Sequence, residues 1–292
     1  MKRLAIFAHY DGDLEIKPYV VTFLRSLREI CDQIVFVSTA ALSEAELEKV
    51  RPFCERSQLR ANAGYDFGMW QHALSELDLS NVDELVLTNS SVFGPIYPLA
   101  PIFEQMAARD CDFWGMTDSF EIRWHLQSYF LVLKRQALSA PAFAQFFGGV
   151  LPYRDKEQVI RSYELGLTQF LREHSLKPDA FVPMASWLES PLRRARVCAK
   201  RRNATLYYPL QLLSAGMPLV KVQLLRDNPA RVSLAPVLQT MAAAGYDMSQ
   251  VRFDRRPASP KSLAAKVRDS FGGAHVEAEC PQSIVQRARG SA

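Results

Sequence analysis

Cysteine is scarce in this chain of 292 residues. Its five cysteines, Cys31, Cys54, Cys111, Cys198 and Cys280, are odd in number, widely spaced and contain no CxxC pair. That argues against a disulfide framework or a cysteine zinc site and suits a reducing, cytoplasmic setting. Long apolar runs are also missing: nowhere do 18 apolar residues stand together, so no membrane-spanning helix is expected. The basic tip Met1-Lys2-Arg3 precedes only a short apolar run before His9. The run is shorter than a secretory signal core, and a first β-strand is expected instead. The chain has no P-loop, GxGxxG, HExxH or GxSxG motif and no internal repeat. Kinase, dinucleotide, metalloprotease and serine-hydrolase readings therefore lose their usual support.

What is present is ordinary globular composition, 48% apolar and 23% charged. The formal net charge of +4, from 35 basic and 31 acidic side chains, conceals two unlike parts. Residues 1–190 hold 18 basic and 25 acidic side chains, and residues 191–292 hold 17 and 6. An acidic body with a basic C-terminal third suggests an anionic partner for that third: a phosphate, a membrane surface or a nucleic acid. The basic run Arg193, Arg194, Arg196, Lys200, Arg201 and Arg202 carries little aromatic sequence. Base stacking is poorly supported, and no nucleic-acid partner is expected.

Short apolar runs alternate with helical patterns along the chain. Strands are expected at 4–8, 34–37, 84–88, 112–116 and 128–133. Helices are expected at 16–30, after Ser43 with Glu46 as a capping box, and at 67–77, 136–147, 155–174 and 234–244. Such alternation predicts βαβ units and an α/β fold with a mainly parallel central sheet. The spacing divides the chain into a body at 1–228 and a short helical, loosely ordered basic extension at 229–292. Ligands of parallel sheets bind beyond the carboxyl ends of strands. That makes candidates of His9, Tyr10, Asp11, Ser38, Thr39, Asn89, Ser91 and Asp118.

Three segments are dense in polar and aromatic residues: NAGYDFGMW at 62–70, LTNSSVFGP at 87–95, and DFWGMTDS with HLQSYF between 112 and 130. Each has a plain structural reading. Asn62 and Gly64 suit a turn, Asp66 a helix cap, and Asn89 with Ser91 a strand end before a Gly-Pro turn. Trp114 suits a core, His125 a satisfied structural histidine, and Glu164 a solvated helix face. The functional reading of the same residues is a polar edge that grips a sugar or a nucleotide.

Taken together these segments resemble the rhamnan synthesis F family, glycosyltransferases of bacterial cell-surface polysaccharide (rhamnan or lipopolysaccharide O-antigen) assembly. FAHYD at 7–11, VIRSYELGLT at 159–168 and YPLQLLSAGMPLVKVQLLRDNP at 208–229 continue the match in order. The resemblance implies a GT-A-like nucleotide-sugar-binding fold and an inverting transfer of a deoxysugar, with dTDP-rhamnose or a relative as donor. It implies a glycan or lipid-linked glycan as acceptor, in the cytoplasm or at the inner face of the membrane, where the basic third meets anionic lipid. By the same likeness His9, Tyr10, Asp11, Ser38 and Thr39 hold the nucleotide, and Asn62, Gly64 and Asp66 lie by the donor. Trp114 and Gln127 also line the donor site, and Glu164 is the general base with His125 as a second catalytic candidate.

One departure matters. The family reads Asn-Asp-Ser where this chain has Asn89-Ser90-Ser91. A Mg²⁺ or Mn²⁺ ion at a diphosphate needs hard oxygen ligands, commonly one or two carboxylates. Either Asp112 or Asp118 replaces the missing aspartate, or metal binds weakly, or cationic side chains such as Arg193, Arg194 or Lys221 neutralise the diphosphate. The remaining alternative is a non-catalytic binding partner within an assembly complex.

Overall fold

The computed structural model describes residues 1–184 and 203–251. Arg193 and Arg194, and the tail beyond residue 251, lie outside the described residues. Strand β1 (Arg3–His9) forms from the first apolar run and is buried along its whole length. It pairs in parallel with β2 (Gln33–Ser38) on one side and β4 (Glu84–Asn89) on the other. Strand β3 (Arg56–Leu59) extends the sheet beyond β2, again in parallel. On the far side β8 (Phe130–Lys134) lies antiparallel between β4 and β6 (Phe113–Ser119). Strand β9 (Pro178–Val182) then runs parallel to β6, and β7 (His125–Leu126) folds back on the end of β6. The order is β3-β2-β1-β4-β8-β6, with β7 and β9 both on β6. Six strands share one direction and only β7 and β8 oppose it, so the sheet is mainly parallel, as expected.

Alternation along the strands divides the core between two faces. Ala5, Phe7, Ile34 and Phe36 join Val20, Phe23, Leu24 and Leu27 of helix α1 (Pro18–Arg28). Leu4, Ile6, Val35 and Val37 face the other way, against Phe67 and Trp70 of the helix Tyr65–Leu74. A helical pattern of period 3.6 and a strand pattern of period 2 thus meet on each face in a three-layer α/β arrangement.

Two expected helices are broken, for identifiable reasons. The segment 136–147 divides into Arg135–Ser139 and Pro141–Gly148 because Pro141 forces Ala140 into the extended region, at ψ 134°. The segment 155–174 begins with Asp155 capping the Glu157 amide, and a π-helical turn, Ile160–Glu164, lies inside it before Leu165–Glu173. The capping box is half formed. Ser43 Oγ accepts from the Glu46 amide (3.3 Å), whereas the Glu46 carboxylate accepts from the Ile16 amide (2.6 Å) and fixes the entry to α1.

The described residues lie in one compact unit within Met1–Phe253. The helix Ala235–Ala243 buries Val237 and Met241 against Phe93, Leu213 and Leu224, which ties it to the body. Among the described residues no helix is long and apolar enough to cross a membrane.

At the amino end of β1 a buried ion pair joins β1 to β4. Arg3 Nε and Nη2 both meet Glu84 Oε2 (2.8 and 2.7 Å), and its guanidinium lies 4.2 Å from the centre of the Phe103 ring. Removing one partner strands the other charge in the core. Glu84→Leu is expected to cost about 3 kcal/mol of stability, and Arg3→Met with Glu84→Leu distinctly less than the sum of the singles. Urea unfolding of the three variants measures this; additive losses would contradict it.

Candidate functional site

The six co-directed strands deliver their carboxyl ends, among them His9, Ser38, Asn89 and Ser119, to one edge of the sheet. From β1 the chain moves outward to β2 and β3, then returns to the other side of β1 as β4. The order therefore reverses between β1 and β4, which opens a crevice of the kind where α/β sheets bind ligands.

Ser90 clasps that crevice. Its amide donates to the Ala8 carbonyl (3.0 Å), its Oγ accepts from the Tyr10 amide (3.3 Å), and its carbonyl accepts from the Tyr19 hydroxyl (3.0 Å). The serine at the departure position thus joins the two strand ends. Tyr10 is held by its backbone and leaves its ring exposed. Asp11 caps the Asp13 amide (2.8 Å) in the turn that follows.

His9 and Ser38 close the floor. Both are buried, and His9 Nδ1 lies 2.9 Å from Ser38 Oγ, which also accepts from the Ala40 amide (3.1 Å). Burial pushes the His9 imidazole down to about 4, against the opposing influence of Glu46 and a hydrogen bond to the Glu15 backbone. This histidine is a neutral strut that holds the loop after β1. Beside it the Thr39 Oγ1 is buried and has no hydrogen-bond partner among the described residues.

The loop before Tyr65–Leu74 brings a carboxylate to the edge. Gly64 takes φ +80°, and a Cβ there would meet Gly68 Cα at 3.0 Å and Pro152 Cα at 3.4 Å. That close turn places Asp66 in the first turn of the helix, where Asn89 Nδ2 donates to its Oδ2 (2.7 Å). Asn89 Oδ1 in turn accepts from the Ser91 amide (3.0 Å) and Ser91 Oγ (2.6 Å). Asn62 is exposed on the same loop. Burial lifts the Asp66 carboxyl to about 6; the Glu164 charge adds to the rise, while Lys221, Lys156 and the Asn89 bond oppose it.

Lys221 belongs to the same group. Strand β5 (Val92–Phe93) pairs antiparallel with β10 (Val220–Lys221), bringing Lys221 opposite Val92. Its Nζ stands 4.4 Å from the centre of the Tyr129 ring. Burial lowers its ammonium, and Glu164, Asp66 and Glu121 hold the charge in place. Glu164 sits half-buried in the π-helical turn and accepts no hydrogen bond from any described residue. Such turns disrupt the regular ladder and often occur at functional positions.

Other expected residues have different duties. His125 is buried, with Nδ1 2.9 Å from the Arg123 carbonyl and Nε2 3.1 Å from Gln127 Nε2. A carbonyl can only accept, so Nδ1 carries the proton and Nε2 accepts from Gln127. With both nitrogens engaged it is a structural link and not a free base. Gln127 Oε1 accepts from Asn203 Nδ2 (3.2 Å), which also reaches Glu121 Oε2 (3.3 Å). Trp114 is fully buried in the core against Phe103, 5.1 Å between ring centres, away from the edge. Glu121, Tyr129 and Asn203 join the group without being among the residues expected from the sequence. Glu121 follows a strand end and was open to the carboxyl-end rule, whereas Asn203 is brought in from a distant helix cap.

The donor set does not fit a divalent cation at the Asn89 strand end. Asp112 precedes β6 at the opposite edge, where its Oδ2 accepts from the Lys177 amide (2.7 Å). Asp118 is at the right edge, but Oδ1 accepts from the Met184 amide (2.6 Å) and Oδ2 from Trp124 Nε1 (2.8 Å). Among the described residues no three His, Cys, Asp or Glu side chains converge as a metal cage. Asp66 and Glu164 already act on the Lys221 ammonium.

The profile of the rhamnan synthesis protein F family matches residues 34–253. Virulence protein VirA of Vibrio anguillarum is 28% identical over 253 residues, 78% of this chain and 81% of that protein. The protein y4gN of Sinorhizobium fredii is 28% identical over 142 residues, 47% of this chain and 37% of its own. Among solved structures, glucosyl-3-phosphoglycerate synthase from Mycobacterium tuberculosis, in complex with Mn²⁺, UDP-glucose and glycerol 3-phosphate, aligns at TM-score 0.41 and 11% identity. That alignment covers 74% of this chain and 81% of the enzyme. Core-mannan synthase A from Aspergillus fumigatus, in its Mn/GDP form, aligns at 0.35 and 10%, covering 61% and 72%. Scores of this size leave the architecture to be read from the strand order itself.

The neutral His9 makes a prediction about acid. Between pH 6.5 and about 4 the unfolded chain binds a proton at this position that the folded chain refuses. Its contribution to stability is therefore complete above pH 6.5 and lost as pH falls through that window, by up to about 1.4 kcal/mol per unit. His9→Gln is expected to flatten this part of the stability profile in urea unfolding. An unchanged slope would show that the buried imidazole is not its source.

Proposed function

The chain belongs to the rhamnan synthesis protein F family, and from that premise we propose that it is an inverting glycosyltransferase using a nucleoside-diphosphate sugar, dTDP-rhamnose or a related deoxysugar donor. The acceptor is a hydroxyl of a growing cell-surface polysaccharide, presented as a glycan or a lipid-linked glycan at the cytoplasmic face of the membrane. The observation that carries the reading is the meeting of Asp66, Glu164 and Lys221 at the β1–β4 crevice, beside the Asn89–Ser91 strand end. Nucleotide contacts fall to the strand ends at Tyr10, Asp11 and Thr39 and to the Asn62–Gly64 loop, while His9 and Ser38 shape the floor.

The reaction is a single displacement. Glu164 takes the proton of the acceptor hydroxyl as its oxygen bonds to the anomeric carbon. The bond from that carbon to the diphosphate breaks on the opposite face, and the leaving oxygen keeps the electron pair. Charge develops on the sugar ring and on the diphosphate, so fixed charges and correct placement carry much of the acceleration. The carboxylate of Glu164, set in the irregular turn and accepting no hydrogen bond from a described residue, is suited to this role. His125, with both nitrogens occupied, is not.

Glu164→Gln keeps the shape and removes the base. Transfer is expected to fall by roughly 10²–10⁴-fold with donor binding retained, measured as sugar incorporation alongside calorimetric titration of the donor. Full transfer by a folded Glu164→Gln protein would remove Glu164 from this role. Ser90, where the family reads aspartate, favours one rival, a non-catalytic nucleotide-sugar or glycan-binding partner. Binding of donor without turnover, across donors and with or without Mg²⁺ or Mn²⁺, would decide for that rival.

A further inference from the structure

We propose that the Lys221 ammonium, rather than a divalent cation, supplies the positive charge that meets the leaving diphosphate at the β1–β4 crevice. This rests on the nucleotide-sugar reading above and specifies how that site handles the donor's charge.

Three geometric observations lead to it. First, the lysine is built into the position. The antiparallel pair β5–β10 sets Lys221 opposite Val92, and the Val222 amide donates to the Ser91 carbonyl (2.9 Å). The short ladder thus grows directly from the strand end where a metal-binding aspartate would otherwise stand. Second, the ammonium is seated. Its Nζ lies 4.4 Å from the centre of the Tyr129 ring, which is itself 1% exposed, an arrangement that favours the charged form. Third, the oxygens of the Asn89 and Asp118 strand ends are already used. Asn89 Oδ1 accepts two hydrogen bonds from Ser91, and both oxygens of Asp118 are taken by Met184 and Trp124.

An ammonium has three donors and no lone pair. Lys221 can therefore turn an N–H towards a phosphate oxygen. As the bond between the anomeric carbon and the diphosphate oxygen breaks, that oxygen gains charge, and a charge-assisted hydrogen bond to it strengthens. No proton need be transferred and no further reactant is required. Asp66, bridged to Asn89, and Glu164 hold the ammonium in the crevice and balance it before the donor arrives.

A lysine that merely neutralised its carboxylate neighbours would occupy the same place, so the test separates the two roles. Binding of dTDP and of dTMP is titrated by calorimetry for the wild-type chain, Lys221→Gln and Lys221→Arg, each in excess chelator and in excess Mg²⁺. Circular dichroism confirms that each variant is folded. The expected result is wild-type dTDP binding that survives chelation within about twofold. Lys221→Gln should weaken dTDP by about tenfold or more and dTMP by less than about twofold, with Lys221→Arg recovering most of the loss. Wild-type dTDP binding that depends on Mg²⁺ and ignores Lys221→Gln would overturn the proposal while leaving the nucleotide-sugar reading intact. Equal losses for dTDP and dTMP would reduce Lys221 to a structural counter-charge and also overturn it. No binding of either nucleotide under any condition would contradict the nucleotide-sugar reading itself.

Discussion

A charge can be taken out of water only in the company of its opposite, and that constraint organises both ends of the central sheet. At the amino end Arg3 and Glu84 form a closed pair that joins β1 to β4 and offers nothing to a ligand. At the carboxyl end the arrangement is open. Lys221 is held over Tyr129 among Asp66, Glu164 and Glu121, with Asn89 tying Asp66 to the strand end. The same sheet thus uses paired charge for structure at one edge and leaves charge available at the other. Burial lifts Asp66 and depresses Lys221, a tension expected where groups are held for chemistry rather than for stability.

The layered architecture was legible because each strand of the sheet's centre is a short apolar run between helical patterns. Thr88 and Asn89 could be identified as a strand end from the Gly-Pro turn that follows. What periodicity could not show was direction. The segment Phe130–Lys134 reads like any buried strand, yet it runs antiparallel between β4 and β6, because a residue's burial carries no sign of its neighbour's orientation. Pairings of two residues, β5 with β10, are too short to leave a period, and that is the pairing that brings Lys221 to the site.

The chemistry-bearing residues divide in the same way. Glu164 and Asp66 were named through the family resemblance, and the structure sets the one in a π-helical turn and the other after a glycine in the left-handed region. Trp114, His125, Asp112 and Asp118 had suitable chemistry and position in the sequence, but their side chains are engaged in core packing or in structural hydrogen bonds. Residue type shows what a side chain can do; its partners decide whether it is free to do it. Glu121 and Asn203 show the converse, since their roles come from contacts across 82 positions of chain.

These arrangements make one spatial claim: the donor lies in the crevice between the ends of β1 and β4, with its diphosphate towards Lys221 and its sugar towards Glu164. A groove of about 410 Å³ bordered by Glu15, Lys17, Arg25 and Lys49 is an alternative place on the chain. A crystal structure with dTDP-rhamnose or its non-hydrolysable analogue chooses directly between the two places. The account predicts phosphorus density within hydrogen-bonding reach of Lys221 Nζ and an anomeric carbon facing Glu164 across a gap for the acceptor. Density in the groove beside Lys17, or a sugar turned away from Glu164, would contradict it.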